Sequence, residues 1–412
     1  MPEILLPPLH KAQQQIFECD DRFIVVNAGR RFGKTVICSL YAVVTMLNGG
    51  RVWWLAPTYS IGAEGWLFLK DLVKDMPGII IREGDKSIRY SGGTGSIQLK
   101  STDDPTRLRG AGLDLAIFDE FSYTLKPEVV WQKSIRPALS DRQGRALFIS
   151  TPNGRNFFWK LSKKAKSRKE KDWKYFEFPT SANTFILPEE IAAAKEELPE
   201  DIFNQEYMAE FIENKRGVFR LDDAVVSGIL EDGPDPECVY SVGADFAKLK
   251  DFSVYTVYNL TKNTVAYIDR FNQLDYHIQI QRLKFIIDKF DAKEIWVERN
   301  NIGEVLVEEL RFMFGRRLKE YIATNTNKRQ LIENLIIGFE KEIVKIPNDP
   351  LLLEELKAFQ LMRTKSGLVT YAAPYGSHDD MVISLALSYM PKRRAKNFGF
   401  GKVHETNIFY SG

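Results

Sequence analysis

The sequence predicts an α/β protein of two domains, the first with a mainly parallel sheet and the second with a mixed sheet. From Phe23 to about Thr151, short apolar runs alternate with helical stretches, a pattern typical of parallel strands joined by crossover helices. After residue 237, three strand-like runs follow closely, and the short turn TKN between the last two indicates antiparallel pairing. The length of 412 residues allows two or three domains, each with its own core.

Charge and cysteine content exclude several classes of protein. There are 57 lysines and arginines against 55 aspartates and glutamates, so attraction to a polyanion must come from local clusters and a strongly basic coat protein is excluded. Three dispersed cysteines and four histidines argue against disulfide scaffolds and zinc ribbons. Because the N-terminus lacks a signal-peptide pattern and no run of about 18 apolar residues occurs, we expect a soluble cytoplasmic protein without a membrane partner.

The first motif is a phosphate-binding loop. The strand-like run FIVVNA leads into AGRRFGKT and then into a helix, which is the context that a P-loop requires. Backbone N–H groups would cradle phosphates, Lys34 would neutralise the β and γ oxygens, and Thr35 would offer its hydroxyl to Mg²⁺. Ala28 replaces the usual first glycine, and a chance GKT in a turn is the alternative. The expected nucleotide contacts are Gly29, Arg30, Arg31, Gly33, Lys34 and Thr35.

Two further motifs support nucleotide hydrolysis. LDLAIFDE, about eighty residues after the loop, predicts a buried strand ending in Asp119, expected to hold the metal through water, and Glu120, expected to orient the attacking water. STPNG follows another apolar run, and we expect Ser150 and Thr151 to sense the γ-phosphate. An ordinary strand-ending turn is the alternative for STPNG.

Hydrolysis also needs positive charge near the leaving γ-phosphoryl group. Arg109, in a short glycine-flanked loop before the acidic strand, is the preferred donor and would serve a neighbouring subunit. An Arg109 tied to Asp103 or Asp104 is an equally weighted alternative. The other candidates are Arg30, Arg31, Arg107, Arg136 and Arg142. Gln13 lies about twenty residues before the loop, and its amide is a weak candidate for reading adenine.

Four carboxylates in the second half predict a metal-dependent nuclease site. Asp245 and Glu298 end two strands, and Asp379 with Asp380 opens a helix. If a parallel fourth strand follows three antiparallel ones, the first and fourth strands lie side by side, so that Asp245 faces Glu298. Hard oxygen ligands suit two Mg²⁺ or Mn²⁺ ions for phosphodiester cleavage, with Asp251 as a lesser candidate. Alternatively, Asp245 is a turn residue, Glu298 forms a surface ion pair, and Asp379 or Asp380 is a helix N-cap.

The ordered set AGRRFGKT, LDLAIFDE, STPNG, GADFA, WVERN and HDD resembles the large terminase subunit of tailed bacteriophages. The resemblance implies an N-terminal P-loop NTPase that uses ATP to pump double-stranded DNA into a prohead, and a C-terminal ribonuclease-H-like nuclease that cuts concatemers. It also implies a portal protein and a small terminase subunit as partners, a homo-oligomeric ring on the prohead, and action in the host cytoplasm. The family places a trans-acting arginine before its acidic strand, which supports Arg109.

The expected domains are an ATPase over 1–213, a linker over 214–237, a nuclease over 238–392 and a basic tail over 393–412. Three basic stretches, within 160–174, 311–319 and 392–396, would track DNA phosphates, although a solvated face explains each alone. Two rival functions remain: a helicase or translocase with an inactive ribonuclease-H-like accessory domain, and a DNA-binding scaffold that uses nucleotide only as a switch. The sequence leaves open which of Asp379 and Asp380 is the main metal ligand.

Overall fold

The structure is a computed structural model that describes residues 7–167, 169–212, 217–247, 251–300, 302–363, 369–374 and 376–397. The chain divides into two compact units, Met1–Asn214 and Lys215–Gly412. Among the described residues, no helix is both long and apolar enough to span a bilayer.

Unit one is an eight-stranded sheet with helices packed against it. Its strands are β1 (Phe23–Ala28), β2 (Arg51–Ala56), β3 (Ile79–Arg82), β4 (Ser87–Tyr90), β5 (Ser96–Ser101), β6 (Leu115–Asp119), β7 (Arg145–Ser150) and β8 (Trp173–Phe178). Its helices are α1 (Lys11–Phe17), α2 (Lys34–Leu47), α3 (Ala63–Val73), α4 (Pro127–Val129), α5 (Arg136–Ala138), α6 (Phe157–Lys166), α7 (Pro188–Glu197) and α8 (Glu200–Glu206). A π-helical segment, Val130–Ile135, joins α4 to α5.

The strand order of unit one brings three strand ends together. The order is β3-β4-β5-β2-β6-β7-β1-β8, and all pairs are parallel except those that β4 makes. The predicted mainly parallel sheet is therefore confirmed. Strands β6, β7 and β1 are adjacent and almost wholly buried, as crossover helices on both faces require. Their carboxyl ends consequently meet at one edge, where sites form in open α/β sheets.

Two elements of unit one differ from the sequence expectation. The edge hairpin of β3 and β4 was not predicted, because its strands are short and only half-buried. The basic stretch within 160–174 was expected to be an exposed helix end or loop. It contains the end of α6, but it also leads into β8, which starts at Trp173 and pairs in parallel with β1.

Unit two is a five-stranded mixed sheet, with a separate two-stranded one. Its strands are β9 (Tyr240–Asp245), β10 (Ser253–Asn259), β11 (Thr264–Phe271), β12 (Glu294–Glu298), β13 (Leu318–Tyr321), β14 (Gln360–Arg363) and β15 (Val369–Ala372). Its helices are α9 (Tyr276–Phe290), α10 (Glu304–Phe314), α11 (Asn325–Glu340), α12 (Pro350–Ala358) and α13 (Asp380–Asn397).

The main sheet of unit two has the expected topology. The order is β11-β10-β9-β12-β13, with β9 antiparallel to β10 and parallel to β12. Helices α9 and α10 pack on one face of this sheet, and α11 and α13 pack on the other. The predicted mixed sheet, with its first and fourth strands side by side, is confirmed.

The segment expected to be a linker is largely part of unit two. Phe219 and Val225 are buried in the core that contains α11 and α13, and the N–H of Ile346 donates to the carbonyl of Val225. Burying these two apolar side chains holds residues 217–237 against unit two, an effect that their Gly, Asp and Pro content does not reveal. At the other end, α13 continues to Asn397, so the first residues of the expected tail are helical, and 398–412 lie outside the described residues.

Candidate functional site

The phosphate-binding loop lies between β1 and α2 in unit one. Gly33 ends the loop with φ of 95°, a left-handed conformation that glycine adopts without strain, and α2 begins at Lys34. Lys34 Nζ donates to the carbonyls of Ala28 at 3.3 Å and Gly29 at 3.2 Å. Thr35 is half-buried in the first turn of α2. The strand, loop and helix thus have the arrangement that the GKT motif predicts.

Two acids at the end of β6 lie next to this loop. Asp119 is 7% exposed, and burial followed by repulsion from Glu120 raises its pKa to about 7. Glu120 has φ of 48°, an uncommon conformation for a residue with a side chain. Its carboxylate lies 3.6 Å from Lys34 Nζ. Glu120 therefore lies beside Lys34, and a cation bound near Asp119 would favour the charged form of that acid.

The hydroxyls of the STPNG turn contact Glu120. Ser150 Oγ and Thr151 Oγ1 donate to Glu120 Oε2 at 3.1 and 3.4 Å. Ser122 is the link between the two turns: its N–H donates to Ser150 Oγ, and its hydroxyl donates to the carbonyl of Thr151 at 2.6 Å. The turn is thus positioned to orient Glu120, a role that differs from the direct γ-phosphate contact expected for Ser150 and Thr151.

The candidate arginines differ in their partners. Arg107 pairs with Asp104 at 3.2 Å, Arg142 pairs with Asp114, and Arg30 pairs with Glu206 on α8. Arg136 lies over the ring of Phe23. Arg31 has φ of 59° at the exposed side of the loop.

Arg109 is exposed, directly after the turn Pro105–Leu108. An ion pair with Asp103 or Asp104 was the alternative for Arg109. Asp104 instead pairs with the neighbouring Arg107.

Both amide atoms of Gln13 are used within the chain. Its Oε1 accepts from the N–H of His10 at 3.1 Å, and its Nε2 donates to the carbonyl of Gly33 at 3.1 Å. Gln13 therefore touches the phosphate-binding loop itself. Each amide atom retains one further hydrogen-bonding position, so these contacts do not decide whether Gln13 reads adenine.

The second constellation lies on the sheet of unit two. Asp245 ends β9 and Glu298 ends β12, and the preceding residues Ala244 and Val297 pair in parallel register. Parallel partners in register point to the same face, so Asp245 and Glu298 lie side by side. Asp379 and Asp380, at the start of α13, complete the group, and all three acids repel the Asp245 carboxylate.

Burial and mutual repulsion define the electrostatics of these carboxylates. Asp245 is only 6% exposed, and burial, then Glu298, Asp380 and Asp379, raise its pKa well above the usual value. Burial likewise raises the pKa of Glu298, and that of Asp380 to about 6. His378 Nδ1 lies 3.5 Å from Asp380 and 4.0 Å from Asp251. Four carboxylates with His378 and one further basic partner form a site that favours added positive charge.

A lysine provides that partner. Lys328, in the first turn of α11, donates to Asp379 Oδ2 at 3.1 Å. Its charge partly offsets the rise in the pKa of both Asp245 and Glu298. Among the described residues, no three acidic, histidine or cysteine side chains converge closely enough to ligate one ion. The donor set nevertheless fits a hard divalent cation, because it consists of carboxylates and one of them is buried.

The N-cap alternative for the two helix-start acids is filled by another residue. Glu355, on α12, accepts from the N–H of Met381 at 2.8 Å, and burial raises its pKa. Asp380 Oδ2 accepts from the N–H of Phe252 in the loop before β10. Glu355 thus caps the start of α13, while Asp380 bonds to the loop before β10 and Asp379 pairs with Lys328 on α11.

The predicted basic stretches differ in their surroundings. On α6 and the turn to β8, exposed lysines outnumber their acidic partners, although Lys164 pairs with Glu170 and Lys166 with Glu177. In the second stretch, Arg311 is engaged by Glu304 and Glu320. In the third, Lys392 donates to the carbonyl of Leu260, and the side chains of 393–396 are outside the description.

This chain is similar in sequence to known large terminase subunits. The family model described as terminase large subunit, T4likevirus-type, N-terminal, matches residues 25–225. The terminase large subunit of Thermus phage G20c is 29% identical over 92% of this chain and 87% of its own length. The resemblance to the large terminase subunits is confirmed.

Solved structures of large terminases are also similar. The large terminase of a thermophilic bacteriophage in complex with ADP has a TM-score of 0.53 at 14% identity and covers 96% of this chain and 100% of its own. The large terminase nuclease of phage G20c with bound magnesium is 31% identical over 43% of this chain and 98% of its own, with a TM-score of 0.39. The ADP complex shows that the α/β fold is shared across nearly the whole chain.

Several residues that contact the two sites of this large terminase relative were not predicted from the sequence. Lys328 and Glu355 lie on helices without a motif, and their contacts come from packing of α11 and α12 near the start of α13. Thr180 and Asn183, after β8, contact the phosphate-binding loop. No sequence signal marks them, because each acts through a single hydrogen bond to a backbone carbonyl. The capping box of α1 at His10 was readable only as local structure.

Proposed function

We propose that this chain is the ATP-hydrolysing and DNA-cleaving enzyme of viral genome packaging. It translocates double-stranded DNA into a prohead and cuts concatemeric DNA with a nuclease that uses two divalent ions. The observation that carries the proposal is the presence of two separate constellations in one large terminase relative. The phosphate-binding loop with Asp119 and Glu120 lies in unit one, and the carboxylates around Asp245 lie in unit two.

In unit one, the backbone of the loop binds the phosphates of ATP, and Lys34 neutralises their β and γ oxygens. Glu120 orients the attacking water, because Ser150 and Thr151 hold its carboxylate beside the loop. Thr35 and Asp119 would hold Mg²⁺. The charge of the cation would offset the burial and the repulsion from Glu120 that raise the pKa of Asp119. Arg109 is proposed to reach the nucleotide of a neighbouring subunit.

In unit two, Asp245, Glu298, Asp379 and Asp380 would hold the divalent ions, Mg²⁺ or Mn²⁺. Such ions, when bound, lower the pKa of water and stabilise charge on the leaving oxygen. Asp380 is fixed by the N–H of Phe252, whereas Asp379 is paired with Lys328. Because the side chain of Asp380 is 13% exposed and that of Asp379 is 29% exposed, we propose Asp380 as the more firmly oriented of the two neighbouring acids.

The exposed lysines of α6 and the turn to β8 are proposed to contact DNA phosphates without reading sequence. Unit one is assigned as the motor and unit two as the nuclease, with the boundary near residue 214. The remaining partners, proposed through the family, are a portal protein, a small terminase subunit and further copies in a ring docked on the prohead in the host cytoplasm.

The test separates the two activities on the full chain. Lys34→Ala should abolish ATP hydrolysis and leave cleavage of supercoiled plasmid with Mn²⁺ unchanged, whereas Asp245→Asn should do the reverse. Lys195→Ala and Asp288→Asn change exposed residues of the same types and serve as controls. ATP hydrolysis without any plasmid cleavage by the wild-type chain would favour the alternative, a translocase with an inactive accessory domain. Loss of both activities in either folded variant would contradict two independent sites.

A further inference from the structure

Each backbone carbonyl of the phosphate-binding loop from Ala28 to Gly33 accepts a hydrogen bond from a side chain. Lys34 Nζ bonds to the carbonyls of Ala28 and Gly29. The next four carbonyls each accept a hydrogen bond from one side chain, two of them at the start of α1 and two after β8. These pairs are Thr180 Oγ1 with Arg30 O at 2.8 Å, Asn183 Nδ2 with Arg31 O at 2.7 Å, His10 Nε2 with Phe32 O at 2.9 Å, and Gln13 Nε2 with Gly33 O at 3.1 Å.

The four side chains are themselves held in place, Asn183 by its Oδ1, which accepts from the N–H of Phe185 at 2.9 Å. His10 Nδ1 accepts from the N–H of Gln13 at 3.3 Å, which leaves Nε2 as the protonated nitrogen that donates to Phe32. Gln13 Oε1 accepts from the N–H of His10, which turns its Nε2 towards Gly33. Thr180 is only 1% exposed, and its N–H donates to the carbonyl of Tyr207. These donors are therefore oriented before any ligand arrives.

Fixing a carbonyl also fixes the next amide. The C=O of one residue and the N–H of the next lie in one planar trans peptide and point in opposite directions. Apart from the N–H of Phe32, which donates to the carbonyl of Gly29 at 3.4 Å, holding the carbonyls of residues 30–33 outward thus turns the N–H groups of residues 31, 33 and 34 to the other side of the loop. Those N–H groups are the donors that a phosphate-binding loop presents to its ligand. Prior ordering of this kind lowers the entropy lost on binding.

We propose that His10, Gln13, Thr180 and Asn183 are positioning residues that hold the loop in its phosphate-binding form. Gln13 then acts on the polyphosphate through Gly33 and not on the base. The inference rests on the proposed function of the loop as an ATP site. It differs from the adenine-reading role in one measurable respect: loss of a positioning residue weakens every polyphosphate ligand equally, whatever base it carries.

The experiment compares MgATP with magnesium tripolyphosphate, which has no base. Thr180→Val and Gln13→Ala, each in the full chain, should weaken both ligands by the same factor, about three- to tenfold per lost bond. Thr180→Ser, which keeps the hydroxyl, should restore wild-type affinity. Isothermal titration calorimetry gives the dissociation constant separately from the stoichiometry, so a partly unfolded sample lowers only the latter.

Thr94→Val is the matched control, because Thr94 Oγ1 donates to the carbonyl of Gly49 away from the loop. If Thr180→Val is not recovered folded, Asn183→Ala makes the same comparison. Unchanged affinity for both ligands in these variants would overturn the proposal. Weaker binding of ATP alone in Gln13→Ala would instead assign Gln13 to the base. If Lys34→Ala binds both ligands as wild type does, the assignment of the ATP site fails, independently of the positioning residues.

Discussion

Replacing Gly243 with alanine should push α13 away from β9 and damage the nuclease site without touching the ATPase. A Cβ atom at Gly243 would lie 2.0 Å from the carbonyl oxygen of Ser384 and 2.4 Å from the nitrogen of Ser388, both on α13. Ordinary contact begins at 3.4 Å, so helix and strand must separate by about 1.4 Å. The clash is with backbone, which a change of side-chain rotamer does not relieve.

This separation acts on the site because α13 carries two of its acids. Asp379 and Asp380 lie about one turn before Ser384, whereas Asp245 ends the strand that contains Gly243. We expect overpacking to cost about 2 kcal/mol, which lowers the melting temperature of a unit of this size by about 4–8 °C. A misplacement of about 1 Å at a catalytic group can reduce the rate by roughly 100-fold.

The assay measures Mn²⁺-dependent cleavage of supercoiled plasmid and ATP hydrolysis in the same preparation, with melting followed by calorimetry. Gly303→Ala is the matched control, since a Cβ there meets nothing within 4 Å and its φ is −70°. The reasoning is refuted if Gly243→Ala cleaves plasmid and melts as Gly303→Ala does. A loss of ATP hydrolysis together with cleavage would also contradict it, because Gly243 lies in unit two.

Two further predictions concern single charged residues. Arg109→Ala should reduce ATP hydrolysis by about 10³-fold or more while the dissociation constant for ATP stays unchanged, and hydrolysis near the wild-type rate would remove Arg109 from the reaction. Asp380 has its pKa raised to about 6, first by burial, so its folded form holds the proton more tightly than the unfolded chain. In the presence of a chelator, proton binding by Asp380 stabilises the folded wild-type chain below about pH 4. On the order of 2 kcal/mol of this free energy of unfolding is lost as the pH rises through 6. Asp380→Asn should flatten this part of the urea-unfolding profile between pH 4 and 7, and should gain less stability from added Mg²⁺ at pH 7; identical profiles would contradict the prediction.

Much of the fold and part of both sites could be predicted from local sequence patterns. Strands β1, β6 and β7 are short apolar runs that end in polar or small residues, and the TKN turn forces β10 and β11 to be antiparallel. These features predicted that the loop lies near Asp119 and that Asp245 and Glu298 lie side by side. The hairpin of β3 and β4, and the packing of residues 217–237, were not predictable in this way, because short segments owe their structure to distant neighbours.

The kind of chemistry, and the strand ends that carry it, therefore follow from local patterns, since strand, loop and helix periodicities are local. How those groups are held depends on the packing of distant elements. This packing placed Lys328 beside Asp379, Glu355 at the start of α13, and Thr180 on the carbonyl of Arg30. Each contact joins residues at least 26 positions apart, and it depends on the exact distance between packed elements, which no local pattern encodes.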